Sequence, residues 1–307
     1  MNIKGIFEEV VEAVFPSNIY CIVCGSLIDR SRPYALCDTC VRQMHWITDR
    51  TCSICGKALP DTYLGRESDG RPVCYDCKTR THSFTRGWSC LTYGLHEREI
   101  MMDIKYNSKG YIARKMGDVM FDRMEPLIET ALAEGLLPFD VVIPVPVSHK
   151  RLVRRGYNQS ELMARQFVAR WKERARAFGI EQGGACGASG AAAGSRTTGG
   201  DPVPRAASCP HNLFPRLETR ALVRQKETTM LRSLNPEERR LALHGAFAVE
   251  PALQARIAGQ SVLLIDDIYT TGATADACSK VLLDAGASAV YLLTLCSGGN
   301  RRPKEDA

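Results

Sequence analysis

No apolar run in the 307-residue chain approaches the ~20 residues that cross a bilayer, which excludes a membrane-spanning helix. The start also lacks the cationic run and unbroken apolar centre of a secretory leader. Met1 to Phe15 is amphipathic instead and carries Glu8, Glu9 and Glu12. A cytoplasmic protein is the expectation. A strong charge excess is missing too, since 40 Lys and Arg against 34 Asp and Glu leave only +6. Net charge therefore identifies no partner, and attention passes to local clusters. One is His149, Lys150 and Arg151 with Arg154 and Arg155; the other is Arg170, Lys172, Arg174 and Arg176. Large apolar side chains almost vanish between Glu181 and Pro210, where twenty of thirty residues are Gly, Ala, Ser or Pro. Such a stretch buries too little area to offset its ordering entropy, so residues 178–215 read as a flexible insertion. Cys186 and Cys209 fall inside it without partners at ligand spacing.

Cysteine is what the chain does have: thirteen residues, eight of them in four C-x-x-C pairs within the first 77 positions. The pairs are Cys21/Cys24, Cys37/Cys40, Cys52/Cys55 and Cys74/Cys77. In a long chain expected to be intracellular, this pattern points to metal rather than to disulfides. Two thiolates three positions apart grip one tetrahedral ion from a tight turn, and a second pair closes the shell. Gly25 and Gly56 follow directly on a pair, where the turn needs a residue tolerant of positive φ. Two structural Zn²⁺ ions are expected. Sequential and interleaved pairing both satisfy the spacing. Four repeats at ribbon spacing argue against a redox role of a single C-x-x-C. Cys90, Cys278 and Cys296 stand alone and read as core or surface residues.

Apolar periodicity predicts helices over residues 3–15, 97–105 and 112–132, the last with Pro126 inside it. A strand is expected between Trp88 and Leu95. From residue 139 the pattern changes. Phe139 to Val145 is a short β-branched run, hence a buried strand. A basic loop follows, then a helix from about Asn158 to Ala177. After the insertion come a strand over Ser261 to Ile265, a helix over Thr274 to Ala285 and a strand over Ala289 to Leu295. This alternation predicts a parallel sheet with helices on its faces.

The segment Val262 to Thr274, V-L-L-I-D-D-I-Y-T-T-G-A-T, carries the chemistry. Open parallel sheets bind ligands at the carboxyl ends of their strands, and Asp266 and Asp267 follow the apolar stretch there. Adjacent carboxylates in a dry crevice need donors, which the 2′- and 3′-hydroxyls of a ribose supply. Thr270, Thr271, Gly272, Ala273 and Thr274 then open a helix. Their small side chains, hydroxyls and N–H groups suit a phosphate, and the positive end of the helix dipole adds to the attraction.

With these pieces in place the chain resembles the ComF/GntX family, competence protein F-like proteins with a double zinc ribbon before a type I phosphoribosyltransferase domain. The matching pieces are the four C-x-x-C pairs, P-V-P-V-S-H-K-R-L-V-R-R-G-Y-N-Q from Pro144 to Gln159, Gly245 to Phe247, and the loop at Asp266 to Thr274. The string Arg155 to Gln159 is the most family-specific. The resemblance covers the chain outside residues 178–215. It implies an N-terminal helix over residues 1–19, a double zinc ribbon over 20–82 and a phosphoribosyltransferase-like α/β domain over 83–307.

The resemblance also implies a ligand, phosphoribosyl pyrophosphate or a ribose 5-phosphate group, with Mg²⁺ accompanying it. Asp266 and Asp267 would hold the ribose and Thr270 to Thr274 its 5′-phosphate. The loop with Val147, Ser148, Lys150 and Arg151 would hold the pyrophosphate. Asn158 and Gln159 suit either a helix cap or a ligand contact. Lys226, Thr228 and Thr229 fall in the segment that closes over the reacting ribose in relatives. Leu231 and Ala242 stand where relatives often carry Gln and Asn. Thr270 stands where hypoxanthine-type enzymes place an Asp base, which argues against purine salvage by that route. Three roles follow: a pentosyl-transferring enzyme, a non-catalytic phosphoribosyl sensor, or a single-stranded DNA-binding accessory of the DNA-uptake machinery. For the last, Trp46, Trp88 and Tyr93 are the stacking candidates, with plain core packing the favoured reading of Trp88.

Overall fold

A computed structural model describes residues 19–48, 50–60, 70–177, 214–227 and 236–299. The predicted helix over residues 3–15, nearly all of the insertion, and Thr228, Thr229 and Leu231 lie outside these residues. Helix α1 is Asp38–Gln43 and α2 is Tyr75–Thr79, each starting at the second cysteine pair of a ribbon. Then follow β1 (Arg86–Thr92), α3 (Leu95–Tyr106), α4 (Gly110–Ala133), β2 (Val141–Pro144), α5 (His149–Arg155) and α6 (Gln159–Ala177). After residue 213 come β3 (Arg216–Leu217), β4 (Leu222–Arg224), α7 (Pro236–Leu243), β5 (Phe247–Val249), β6 (Ser261–Tyr269), α8 (Ala273–Asp284) and β7 (Ala289–Ser297). Helix α4 runs unbroken through Pro126.

The main sheet has five parallel strands in the order β1-β7-β6-β2-β3, and β4 and β5 form a separate antiparallel pair. Its central strands are apolar on both faces because both faces are covered. Val142, Leu263, Ile265, Leu293 and Leu295 point into one core with Phe121, Phe139, Phe167 and Trp171 of the α4–α6 side. Val141, Ile143, Val262, Leu264, Val290 and Leu292 point into the other, with Phe247, Cys278 and Leu282. The mixed α/β architecture, a parallel sheet flanked by helices behind a cysteine-rich unit, is the one the alternation predicts.

Strand β6 is longer than its apolar stretch. It continues through Asp266 and Asp267 to Tyr269, so the two carboxylates lie within the strand rather than after it. The reason is pairing: β7 accompanies β6 to the Tyr269–Ser297 partnership, whereas β2 stops at the Pro144–Ile265 partnership. The end of β2 therefore opens a crevice alongside residues 266–269. Strand β7 likewise outruns its predicted end at Leu295 and reaches Ser297.

The ribbons are built into the sheet's surroundings. Cys21, Ile22, Ala35, Leu36, Cys40 and Met44 join the core on the α4–α6 face, while Cys52, Cys55, Cys74 and Cys77 join the core on the opposite face. The segment between the ribbons covers the β1 edge: Ile47 N–H donates to Cys90 O at 2.9 Å and Thr92 N–H to His45 O at 2.8 Å. An open edge that would otherwise pair with another chain is thus closed.

Candidate functional site

Each ribbon begins with the same knuckle. Cys21 N–H donates to Ser26 O at 2.8 Å and Gly25 N–H to Cys21 O at 2.9 Å; Cys52 N–H donates to Lys57 O at 2.8 Å and Gly56 N–H to Cys52 O at 2.9 Å. Gly25 and Gly56 have φ of 71° and 73°, the turn geometry expected of them. At Gly56 the lack of a side chain is also a packing need, since a Cβ would lie 2.5 Å from Gly87 O.

Sequential pairing is the arrangement found. The sulfurs of Cys21, Cys24, Cys37 and Cys40 all lie within 4.8 Å of one another, as do those of Cys52, Cys55, Cys74 and Cys77. Zn–S bonds of ~2.3 Å in a tetrahedron set sulfurs about 3.8 Å apart. The Cys24–Cys37 and Cys55–Cys74 sulfurs are each 3.7 Å apart. Backbone N–H groups support the sulfurs: Cys37 N–H donates to Cys21 Sγ at 3.4 Å and Cys74 N–H to Cys52 Sγ at 3.3 Å. The Cys24 thiol is drawn down to about 6 by hydrogen bonds from the Ser26 side chain and backbone, in the direction a thiolate ligand needs. These are two structural zinc sites of closed four-thiolate type. The first sits partly at the surface, with Cys24 exposed; the second is buried throughout.

The crevice beside β6 gathers residues from four elements. Asp267 is 4% exposed and is held by Lys105 Nζ at 2.7 Å and by the Gln159 amide, which donates at 2.9 Å. Arg155 donates to Gln159 Oε1 and, through Nε, to the Lys105 carbonyl at 3.0 Å. This network holds Asp267 as a strut already partnered by a cation and an amide. Asp266 differs. It keeps part of its surface open and accepts hydrogen bonds from Ser160 Oγ at 3.2 Å and from Asp267 N–H at 2.8 Å. Burial, and then the Asp267 carboxylate beside it, push Asp266 up to about 7. Of the two, Asp266 is the carboxylate that stays partly open.

Gly272 takes φ of 83° and caps α8 without a side chain, so no side-chain oxygen competes for the first turn. Thr270 is exposed and Thr271 and Thr274 are half-buried around it, while Ala273 is buried. On the facing loop Ser148 is buried, Val147 and Arg151 are half-buried and Lys150 is exposed. The Lys150 N–H donates to the Glu227 carboxylate at 2.9 Å. Burial, and then the Arg151 guanidinium, lower Arg224, which also feels the Asp266 carboxylate; Arg151, Arg224 and Asp266 thus share one neighbourhood. Lys226 donates to the His244 carbonyl at 3.2 Å.

Lys105, Ser160, Arg224 and Glu227 were not singled out from the sequence. Lys105 and Arg224 give no signal there, because each reaches the site only through the fold. The string Arg155 to Gln159 did point to it, and its two open roles now separate. Asn158 accepts from Ser160 N–H at 3.1 Å and donates to Val145 O at 3.1 Å, so it shapes the start of α6. Gln159 bonds Asp267.

One sequence expectation is corrected. The cluster Arg170 to Arg176 is largely spent within the protein: Arg170 pairs with Asp118, Asp122 and Glu173, and Arg174 with Glu125 and Glu129. The acids lie mainly on α4, against which α6 packs, so charge that looked free in sequence is neutralised across helices. Trp88 is 6% exposed and packs on Phe139, and the Trp46 indole donates to Val41 O at 2.8 Å while its ring rests against Tyr34. Core packing, the favoured reading of Trp88, is what the structure shows, and Trp46 is half-buried. Tyr93 is half-buried against the same core.

The cysteine geometry defines a double zinc ribbon protein with an α/β body, and residues 10–78 match the double zinc ribbon domain. Over most of its length the chain is homologous to competence protein F and to the DNA utilization protein YhgH. It is 24% identical to competence protein F of Haemophilus influenzae over 279 residues, 90% of this chain and 95% of that protein. It is 23% identical to the DNA utilization protein YhgH of Escherichia coli K12 over 264 residues, 86% of this chain and 90% of that one. The Salmonella typhimurium protein of the same name is 24% identical over 267 residues, 85% and 95% of the two chains. The resemblance to the ComF/GntX family read from the motifs is borne out.

Proposed function

We propose that the crevice between β2 and β6 binds a phosphoribosyl group, as phosphoribosyl pyrophosphate or ribose 5-phosphate, in the service of DNA uptake or utilisation. One observation carries the reading. Two adjacent carboxylates are treated differently, Asp267 sealed by Lys105 and Gln159, Asp266 left raised and partly open beside a glycine-capped helix start. A vicinal diol adds donors to the two that Asp266 already has, and the N–H groups of Ala273 and Thr274 with the Thr271 and Thr274 hydroxyls receive the 5′-phosphate. Val147, Ser148, Lys150 and Arg151 receive the pyrophosphate once Glu227 leaves the Lys150 N–H. Mg²⁺ enters with that pyrophosphate; Asp267, already neutralised by Lys105, is a poor ligand for it, and Asp266 is the carboxylate that remains. The relatives' printed names, DNA utilization protein and competence protein, support the biological setting.

Thermal-shift titration tests the site. Phosphoribosyl pyrophosphate with Mg²⁺ is expected to raise the melting temperature of the wild-type protein, by about 2.7 kcal/mol of stabilisation at a hundredfold excess over Kd. Asp266→Asn is expected to remove the response. An unmoved wild-type melting curve at millimolar ligand counts against the reading.

A second reading, contact with single-stranded DNA, is favoured by a surface beside the same crevice. Tyr106 and Tyr111 are 48% and 39% exposed, and the Arg154 guanidinium lies 5.7 Å over the Tyr106 ring. Exposed aromatics beside cations suit unstacked bases and phosphates. Fluorescence anisotropy with a single-stranded oligonucleotide is expected to show salt-sensitive binding, weakened about tenfold in Tyr106→Ala by the usual value of one base stack. Salt-insensitive binding, or an unaffected variant, excludes this surface.

A further inference from the structure

The His82 side chain is 1% exposed and sits directly beneath the turn that opens α8. Its Nδ1 lies 3.1 and 3.0 Å from the two Asp276 carboxylate oxygens, and the Ser83 N–H donates to the same carboxylate at 2.9 Å. Its Nε2 stands 3.4 Å from the Tyr269 hydroxyl, and its ring stacks on Phe84 with centroids 4.8 Å apart. A Cβ placed on Gly272 would lie 2.8 Å from Tyr269 Oη and 2.9 Å from His82 Cε1. The glycine of the phosphate loop is therefore pressed onto these two side chains.

Behind them lies the second ribbon. Lys57 Nζ sits 5.3 Å over the Tyr269 ring, and the same ammonium pairs at 2.7 Å with Asp76, between Cys74 and Cys77. One core holds Cys52, Cys55, Cys74 and Cys77 together with Phe84, Tyr269, Ala273 and Ala275. The chain from Cys77 to His82 is five residues long, so the metal anchors one end of the strut that carries the loop. Asp276 belongs to the first helical turn, where an unpaired carboxylate would repel a phosphate; His82 and the Ser83 N–H hold it.

We infer that His82 is a positioning residue of the phosphoribosyl site, and that through it the second zinc centre, not the first, sets the shape of the loop Thr270 to Thr274 and its affinity for a phosphorylated sugar. The inference rests on the reading of that loop as the phosphate site. If the zinc centre supports the ligand, the ligand must support the zinc by the same factor.

The test begins with calorimetry of the wild-type holoprotein with phosphoribosyl pyrophosphate and Mg²⁺; absence of binding overturns both the phosphoribosyl reading and the inference. With binding measured, zinc is titrated to equilibrium against a competing colorimetric chelator with and without saturating ligand. The half-exposed first centre is expected to give up its ion at lower chelator concentration than the buried second one. Ligand is expected to tighten the second centre about tenfold and to leave the first unchanged. An unchanged second midpoint in the presence of bound ligand overturns the inference while leaving the phosphoribosyl site standing. His82→Gln is expected to retain two zinc ions and to weaken ligand binding about tenfold, a change that loss of stability alone does not produce in the folded fraction. Should His82→Gln lose zinc, Asp276→Ala breaks the same contact from the loop side with the ribbon unaltered. Wild-type affinity in a zinc-replete variant overturns the inference.

Discussion

Asp266→Asn is expected to make the protein more stable at pH 8 while removing its response to a phosphoribosyl ligand, and Asp267→Asn to make it less stable. Asp266 is raised from 3.8 to about 7 in the folded state, by burial and by the neighbouring Asp267 carboxylate. The folded protein thus binds a proton that the unfolded chain has released. Stability is lost as pH rises from the unfolded value near 3.8 to about 7, and the loss is complete above that. Asparagine removes this cost and keeps an oxygen for the Ser160 hydroxyl. At about 1.4 kcal/mol per pH unit between the two values, discounted for remaining solvent access, the gain at pH 8 is on the order of 1–3 kcal/mol. It shrinks towards zero near pH 4. At Asp267 the same change strands Lys105, whose side chain is 16% exposed, without its counter-charge. Breaking a buried pair in this way costs about 3–5 kcal/mol. Denaturant melts at pH 5 and pH 8 measure both effects. Equal and destabilising effects of the two substitutions would show that the carboxylates share one environment, contrary to the geometry.

The second large effect separates the two ribbons. Cys55→Ser is expected to lower the melting temperature by roughly 10 °C or more, with the loss of one zinc per chain, whereas Cys24→Ser loses one zinc with a drop of a few degrees. Cys55 is 1% exposed and packs in the core that also holds Tyr269, Ala273 and Leu292. Serine there leaves a buried hydroxyl among uncompensated thiolates, a costly combination. Cys24 is exposed, and its ribbon is also held by buried Ile22, Ala35, Leu36 and Met44. Zinc content by mass spectrometry and thermal melts on the same samples decide the matter. Indistinguishable melting temperatures would mean that the second ribbon is no more part of the body's core than the first.

The zinc sites were legible in the sequence because their chemistry is local. Each knuckle is a tight turn between cysteines three apart, and the pattern repeats. Only the pairing of knuckles needed the fold. The parallel sheet was legible because strands buried on both faces read as continuous apolar runs, as in Val141 to Ile143 and Val262 to Ile265. The true length of β6 was not, because its last four residues are specified by pairing with β7 rather than by apolar side chains. The division of labour between Asp266 and Asp267 was hidden for a similar reason. Lys105 lies about 160 positions before the carboxylate it neutralises, and no spacing rule joins them. The cluster from Arg170 to Arg176 misled because its partners sit on a different helix. The contact of His82 with Gly272 brings together residues 190 apart and leaves no local trace.

The central claim is that Asp266 meets the ribose of a bound phosphoribosyl group. Calorimetric titration with phosphoribosyl pyrophosphate tests it most directly, run at saturating Mg²⁺ so that the ligand's own phosphates are already deprotonated. Hydroxyl donors prefer the ionised carboxylate, so affinity should rise as pH passes up through about 7, and binding near pH 7 should release part of a proton from Asp266. That release appears as a binding enthalpy that changes with the ionisation enthalpy of the buffer. A tight, pH-independent isotherm with no buffer dependence, or no binding heat at any pH, would contradict the account.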